Sequence, residues 1–265
     1  MMRRGTMHLK YDRHGGDRNA NRMLIALVSD IHANLVALEA VLEQLPVYDQ
    51  LWCLGDTVGY GPQPNACLQY MQELATYTLT GNHDLGCLGK ESLAEFNDIA
   101  RIANEWTGQQ LTTELRAFLD ACPAKLVAEP HATLAHASPR DPVWEYIESV
   151  DSARANLAYF ESSICFVGHT HVPIRFAYEP DGTIEFSHMP RGETVLLRPG
   201  TRYIINPGSV GQPRDQNPQA AYALWDTEAN TIRFERIGYD IRATQKQILQ
   251  AGLPAELAER LALGM

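Results

Sequence analysis

No run of apolar residues in the sequence approaches the length of a membrane span, which excludes a transmembrane helix. Cysteine is scarce: Cys53, Cys67, Cys87, Cys122 and Cys165 are odd in number, scattered, and form no C-x-x-C pair. With Cys53 and Cys165 set in apolar runs, the pattern fits a reducing compartment rather than a disulfide framework, and the cytoplasm is the expected location. Positive charge is also short. Lys and Arg number 22 against 32 Asp and Glu, a net charge of −10, which argues against broad binding to nucleic-acid polymers or anionic membranes. A small anionic substrate at a locally positive site stays open. Residues 1–22 lack the apolar core of a secretory signal and any sustained apolar period, so they read as a disordered extension ahead of Met23, a candidate native start. Neither internal repeats nor a linker divide residues 23–265, and 45% hydrophobic with 20% charged residues is an ordinary globular composition.

What is present is a regular alternation of strands and helices. Residues 23–28 are a continuous apolar run of strand length ending in Ser29-Asp30-Ile31-His32. Residues two apart in extended chain face the same side, so Asp30 and His32 can close on one ion. Asn34 then caps a helix whose Leu35, Leu38, Val41, Leu42 and Leu45 form one stripe. A second strand at 51–54 ends in Gly55-Asp56. After a helix at about 65–74, a third strand at 77–80 ends in Gly81-Asn82-His83-Asp84, which reads as a turn. This pattern predicts parallel strands whose ends lie at one edge of a sheet.

From about residue 89 to 122 the chain is helical in pattern, with Phe96, Ile99, Ile102, Ala103 and Trp106 at helical spacing. This insertion follows the tetrad directly, which makes it a candidate cap over the site. A hairpin at 126–136 turns at Pro130, closing on His136 and leaving His131 at the surface. Another apolar strand, 164–167, ends in Gly168-His169-Thr170-His171. Further strands between 174 and 236 suggest a second, mostly antiparallel sheet, and His188 follows one of them without an obvious partner. Helical residues from about 242 are broken at Gly252-Leu253-Pro254.

Collected, the strand-end residues are Asp30, His32, Asp56, Asn82, His83, His136, His169 and His171, five of the nine histidines among them. Packing alone does not explain that concentration. The motifs Asp30-Ile31-His32, Gly55-Asp56, Gly81-Asn82-His83-Asp84, His136, Gly168-His169-Thr170-His171 and Asn206-Pro207-Gly208-Ser209 resemble, in order, those of the calcineurin-like metallophosphoesterase superfamily, specifically its small prokaryotic phosphodiesterase-like branch. The resemblance implies an α/β fold, a four-layer α/β/β/α sandwich of two mixed sheets with a helical cap insertion. It implies two divalent ions, with Asp30, His32 and His171 on one, Asn82, His136 and His169 on the other, and Asp56 shared. Oxygen and imidazole ligands without Cys suit Mn, Fe, Zn or Ni, with Mn favoured.

The same resemblance implies that His83 protonates the leaving group, with Asp84 orienting it; a turn-stabilising carboxylate is the other reading of Asp84. Asn82, His83, Arg214, Phe96 and Asn97 are the candidate substrate contacts, although Arg214 also reads as a solvated loop residue and Phe96 as core. Protein Ser/Thr phosphatases of the superfamily carry Asp-Arg-Gly after their Gly-Asp motif, where this chain has Thr57-Val58-Gly59. The expected function is therefore a phosphodiesterase acting on a small or nucleotide-like substrate. The alternatives are a phosphomonoesterase, including a phosphoprotein phosphatase, and a non-catalytic scaffold of the same fold.

Overall fold

Side chains alternate direction along each strand, and this alternation sorts the core into layers. In the computed structural model, which describes residues 23–265, β1 (Leu24–Val28) turns Ile25 and Leu27 to one face and Ala26 and Val28 to the other. The first pair packs with Trp52, Phe166, Tyr203, Trp225 and Phe234 between two sheets. The second pair packs on α1 (Leu35–Gln44) and α2 (Pro64–Leu74). As expected, Asn34 caps α1, its side chain accepting from the Ala37 N–H at 3.2 Å. The reading of residues 1–22 as an extension lies outside the described residues.

The remaining strands are β2 (Gln50–Cys53), β3 (Tyr77–Thr78), β4 (Lys125–Ala128), β5 (Ala132–Ala135), β6 (Ile164–Phe166), β7 (Ile174–Tyr178), β8 (Ile184–His188), β9 (Thr194–Leu196), β10 (Arg202–Asn206), β11 (Ala220–Asp226) and β12 (Thr231–Ile237). They form two six-stranded sheets, ordered β3-β2-β1-β11-β12-β9 and β4-β5-β6-β10-β7-β8. Each is mixed. β1, β2 and β3 run parallel in one, and β5, β6 and β10 in the other, with antiparallel strands outside them. On the far face of the second sheet, α6 (Val150–Asn156) sets Ala153 among Cys165, Val167, Phe176 and Ile204. The four layers α/β/β/α are thus as expected.

Two features differ from the sequence expectation. The strands after residue 174 do not make one antiparallel sheet, because β9, β11 and β12 extend the first sheet while β7, β8 and β10 extend the second. Residues 81–84 are not a free turn: they open α3 (Asn82–Leu88), with Gly81 at the N-cap.

The helical pattern of the insertion resolves into α4 (Asp98–Gln110) and α5 (Thr113–Asp120). The buried face of α4 is Ala100, Ala103, Asn104 and Thr107, whereas Ile102 is exposed. The insertion is held from both sides. Ala100 and Ala103 pack on α7 (Ile241–Gln250) and α8 (Ala255–Leu263), and Leu115 and Leu119 pack with Leu68 of α2 and Cys87 of α3.

Candidate metal centre

The ends of β1, β2, β3, β5 and β6 bring Asp30, His32, Asp56, Asn82, His136, His169 and His171 to one edge, all of them almost wholly buried. Asp30, His32, Asp56 and His171 form one group whose ligand atoms lie within 4.8 Å of one another, and Asp56, His136 and His169 form a second. Asp56 belongs to both. Its Oδ2 is 3.4 Å from His136 Nε2 and 3.8 Å from His32 Nε2. Asn82 lies at the edge of the second group, its Oδ1 3.4 Å from His136 Nε2.

Asp30 and His32 converge, but not by the alternation of extended chain. Asp30, His32, Asp56, His169 and His171 all have φ between 48° and 65°, the left-handed region. Each such residue costs about 1–2 kcal/mol, and strain of this kind concentrates at functional sites. The chain leaves each strand, turns at once, and aims the side chain back over the sheet edge. Glycines make room for this. A Cβ on Gly81 would meet His136 Nε2 at 2.6 Å, and one on Gly168 would meet Asp30 Oδ2 at 2.8 Å. The loop after β10 braces the arrangement. Asn206 Nδ2 donates to the Gly168 carbonyl at 2.6 Å, and the Ser209 hydroxyl donates to the Asp30 carbonyl at 2.7 Å.

Whether the cluster suits a cation can be tested on its hydrogen bonds. His32, His136 and His171 each direct Nδ1 at a backbone carbonyl, of Val58 at 3.1 Å, Leu54 at 2.9 Å and Gln212 at 2.6 Å. A carbonyl only accepts, so Nδ1 carries the proton and, in a neutral ring, Nε2 is a bare lone pair. His32 Nε2 and His171 Nε2 then face each other at 3.1 Å, an arrangement that needs a cation or an extra proton. Burial pushes His32 well below its usual pKa, with His171 adding to the effect, so the extra proton is disfavoured there. His169 Nε2 and Asp56 Oδ2 are buried with no hydrogen-bond partner. The donor set fits metal ions.

His83 sits beside this cluster, its N–H donating to Asp56 Oδ1 at 2.9 Å. The partner of its ring is Asn104 of α4, with Nδ1 2.9 Å from the amide oxygen. This corrects the expectation for Asp84. As the third residue of α3, Asp84 curls back to the helix start and accepts from Gly81 N at 3.0 Å, Val58 N at 3.0 Å and Thr57 N at 3.3 Å. It holds the Asp56 loop against α3 and has the turn-stabilising role. Its carboxyl is raised to about 7 by burial and then by Asp56. Nor is imidazolium favoured at His83, which burial lowers to about 4.

Of the other candidate contacts, Phe96 stands edge-on to the His83 ring at 5.1 Å and packs on Trp144 at 5.0 Å. Asn97 does not share that placement: it is exposed and caps α4 by accepting from the Ala100 N–H at 2.9 Å. Arg214 is partly buried, and its N–H bonds the His171 carbonyl at 3.4 Å. Sequence reasoning missed Asn104, Tyr60 and Tyr146. The Tyr60 ring lies 4.3 Å from His83, and Tyr146 lies over His169 at 4.0 Å.

A family model of the calcineurin-like phosphoesterase superfamily domain matches residues 23–230. The chain belongs to this superfamily. An uncharacterized protein of Methanocaldococcus jannaschii is 38% identical over 253 residues, covering 92% of this chain and 99% of that protein. The crystal structure of a metallophosphoesterase from Sphaerobacter thermophilus is 44% identical with a TM-score of 0.83, covering 92% of this chain and 100% of the other. A shorter likeness, 41% over 71 residues, joins it to the symmetrical bis(5'-nucleosyl)-tetraphosphatase of Thioalkalivibrio sulfidiphilus, spanning 25% of this chain and 26% of that enzyme. No helix among the described residues of this phosphoesterase-superfamily chain is long and apolar enough to cross a membrane.

Proposed function

We propose that the protein hydrolyses phosphoesters of small or nucleotide-like molecules, most readily diesters, in the cytoplasm. The observation that carries this is the pair of bare imidazole nitrogens, His32 Nε2 and His171 Nε2, facing each other at 3.1 Å beside a shared, otherwise unpaired Asp56 oxygen. Asp30, His32 and His171 would hold one ion, Asn82, His136 and His169 the other, and Asp56 both, with Mn favoured over Fe, Zn or Ni. When bound, such ions polarise a phosphoryl oxygen and activate water at neutral pH.

The chain's own groups then position the ester. His83 is the proton donor to the leaving oxygen, held in one ring orientation by Asn104. It is neutral before substrate binds, so the arriving negative phosphate supplies the charge that draws a proton onto it. Arg214, its Cζ 6.0 Å from the Tyr60 ring, adds positive charge to this edge of the site. Phe96, Trp144 and Tyr146 wall the site, Phe96 packed in one cluster with Ala100 and Ala103 of α4, and they limit access to small molecules. The short likeness to a dinucleoside tetraphosphatase supports a nucleotide-like substrate, and five free thiols support a reducing compartment.

The test is a panel of a small diester, a phosphopeptide and duplex DNA, run on chelated and Mn-reloaded protein with bound metal measured. Hydrolysis of the diester alone, lost on chelation and restored by metal, is expected. Full activity in metal-free protein would falsify the reading, and equal rates on all three substrates would refute the limit on size.

A further inference from the structure

Beside the candidate centre, two guanidinium groups converge on one phenol. Tyr60 is 5% exposed, and its ring lies 4.7 Å from His32 as well as 4.3 Å from His83. Arg214 has its Cζ 6.0 Å from the Tyr60 ring centre, and Arg260 of α8 has its Cζ 5.8 Å from it. The helix that carries Arg260 is fixed at this edge, because Leu257 and Leu261 pack in one cluster with Tyr60 and with Ala103 of α4.

Asp215, the carboxylate next to Arg214 in sequence, is taken by Arg236. Among the described residues neither Arg214 nor Arg260 forms an ion pair with a carboxylate side chain. Arg214 donates to Gln212 Oε1 at 3.1 Å, and its Nε is buried without a partner. Arg260 donates from Nε to a terminal carboxylate oxygen of Met265 at 2.6 Å, which leaves one negative charge to two guanidinium groups. Burial, and then the charge of Arg214, disfavour the charged form of Arg260. Two partly buried guanidinium groups against one carboxylate leave a net positive charge that a further anion would balance. Planar guanidinium donors match phosphate oxygens.

We propose that Arg214 and Arg260, both beside Tyr60, form an anion subsite that takes a second phosphate of the substrate. The favoured substrates then carry two or more linked phosphates, each bearing its own charge, in preference to esters of a single phosphate. The proposal rests on the phosphoesterase reading for the word substrate, but the subsite itself is a binding claim. No bond is made or broken there.

The test titrates metal-loaded, full-length protein with methylenediphosphonate and with methylphosphonate by calorimetry, with divalent ion in excess. Both probes resist hydrolysis, and what is compared is the affinity gap between them across variants, since the ions' contribution to that gap is the same in each variant. Arg260→Gln is expected to narrow the gap about ten-fold, the loss of charged hydrogen bonds to one phosphonate. An unchanged gap overturns the subsite. If Arg260→Gln proves unfolded by its melting curve, Arg214→Gln decides in the same way: a narrowed gap supports the subsite and an unchanged one overturns it. Protein that hydrolyses no phosphoester yet shows the gap and its loss would sink the phosphoesterase reading and leave the subsite standing. Metal-dependent hydrolysis with the gap indifferent to both arginines would do the reverse.

Discussion

Gly81 stands where the candidate centre leaves no room for a methyl group. An added Cβ would meet His136 Nε2 at 2.6 Å and the Asp56 Oδ1 atom closer still, whereas ordinary contact begins at 3.4 Å. The His136 ring must therefore retreat by about 0.8 Å, and metal–ligand distances tolerate only about 0.2 Å. Displacing supporting groups around a metal already costs about 10–100-fold in affinity, so Gly81→Ala, which displaces two candidate ligands, is expected to lose about 100-fold. Overpacking costs the fold only about 1–3 kcal/mol. The control is Gly182→Ala, at φ 90° with nothing within 4 Å of the new atom. It carries backbone strain of about 1–2 kcal/mol and no effect on metal. The assay is metal content per chain at buffered free Mn, with thermal unfolding run alongside, with and without the ion. A Gly81→Ala protein that binds Mn and turns over like the parent would show that the cluster does not hold metal in the way described.

Asp56→Asn should weaken both ions, because its Oδ2 lies between His136 and His32; loss of one ion with the other intact, read by metal stoichiometry, contradicts a shared ligand. His83→Ala should keep its metal and lose about 10²–10⁴-fold in turnover on poor leaving groups, and Asn104→Ala about 10-fold, both effects shrinking across a series of more acidic leaving groups. An Asn104→Ala enzyme with an unchanged leaving-group dependence would separate Asn104 from the proton transfer. In the metal-free chain burial lowers the pKa of His136 but Asp56 outweighs it, raising it from 6.5 to about 9. An ion must displace that proton, so apparent affinity should rise about ten-fold per pH unit up to about pH 9, with proton release on binding measurable at constant pH. The raised pKa also stabilises the metal-free fold below pH 6.5, and this is lost as pH rises through about 9; a denaturant series showing the opposite slope would exclude the pairing with Asp56.

The ends of β1, β2, β3 and β6 were legible because each run stops at a glycine or serine followed by Asp, His or Asn. The allocation of later strands was not. Strands β7 to β12 alternate alike, and nothing local in Arg202–Asn206 or Ala220–Asp226 specifies which sheet each joins, since pairing is set by partners far away in sequence. Residues 81–84 read as a turn because Gly and Asn favour one; the helix begins there because Asp84 returns to cap the Gly81 amide, a tertiary as much as a local choice. Asn104 left a usable trace. Ala100, Ala103, Asn104 and Thr107 are spaced as one helical face, and taking the larger Ile99, Ile102 and Trp106 as that face hid the polar member. Arg260 gave no signal at all, because it reaches Tyr60 across two hundred residues.

The left-handed backbone at Asp30, His32, Asp56, His169 and His171 has an evolutionary side. At such positions glycine is the more stable residue, by about 1 kcal/mol each when the lost side chain makes no other contribution. A screen that rewards heat resistance alone would therefore erode this cluster early, collecting sturdier chains that have given up their chemistry.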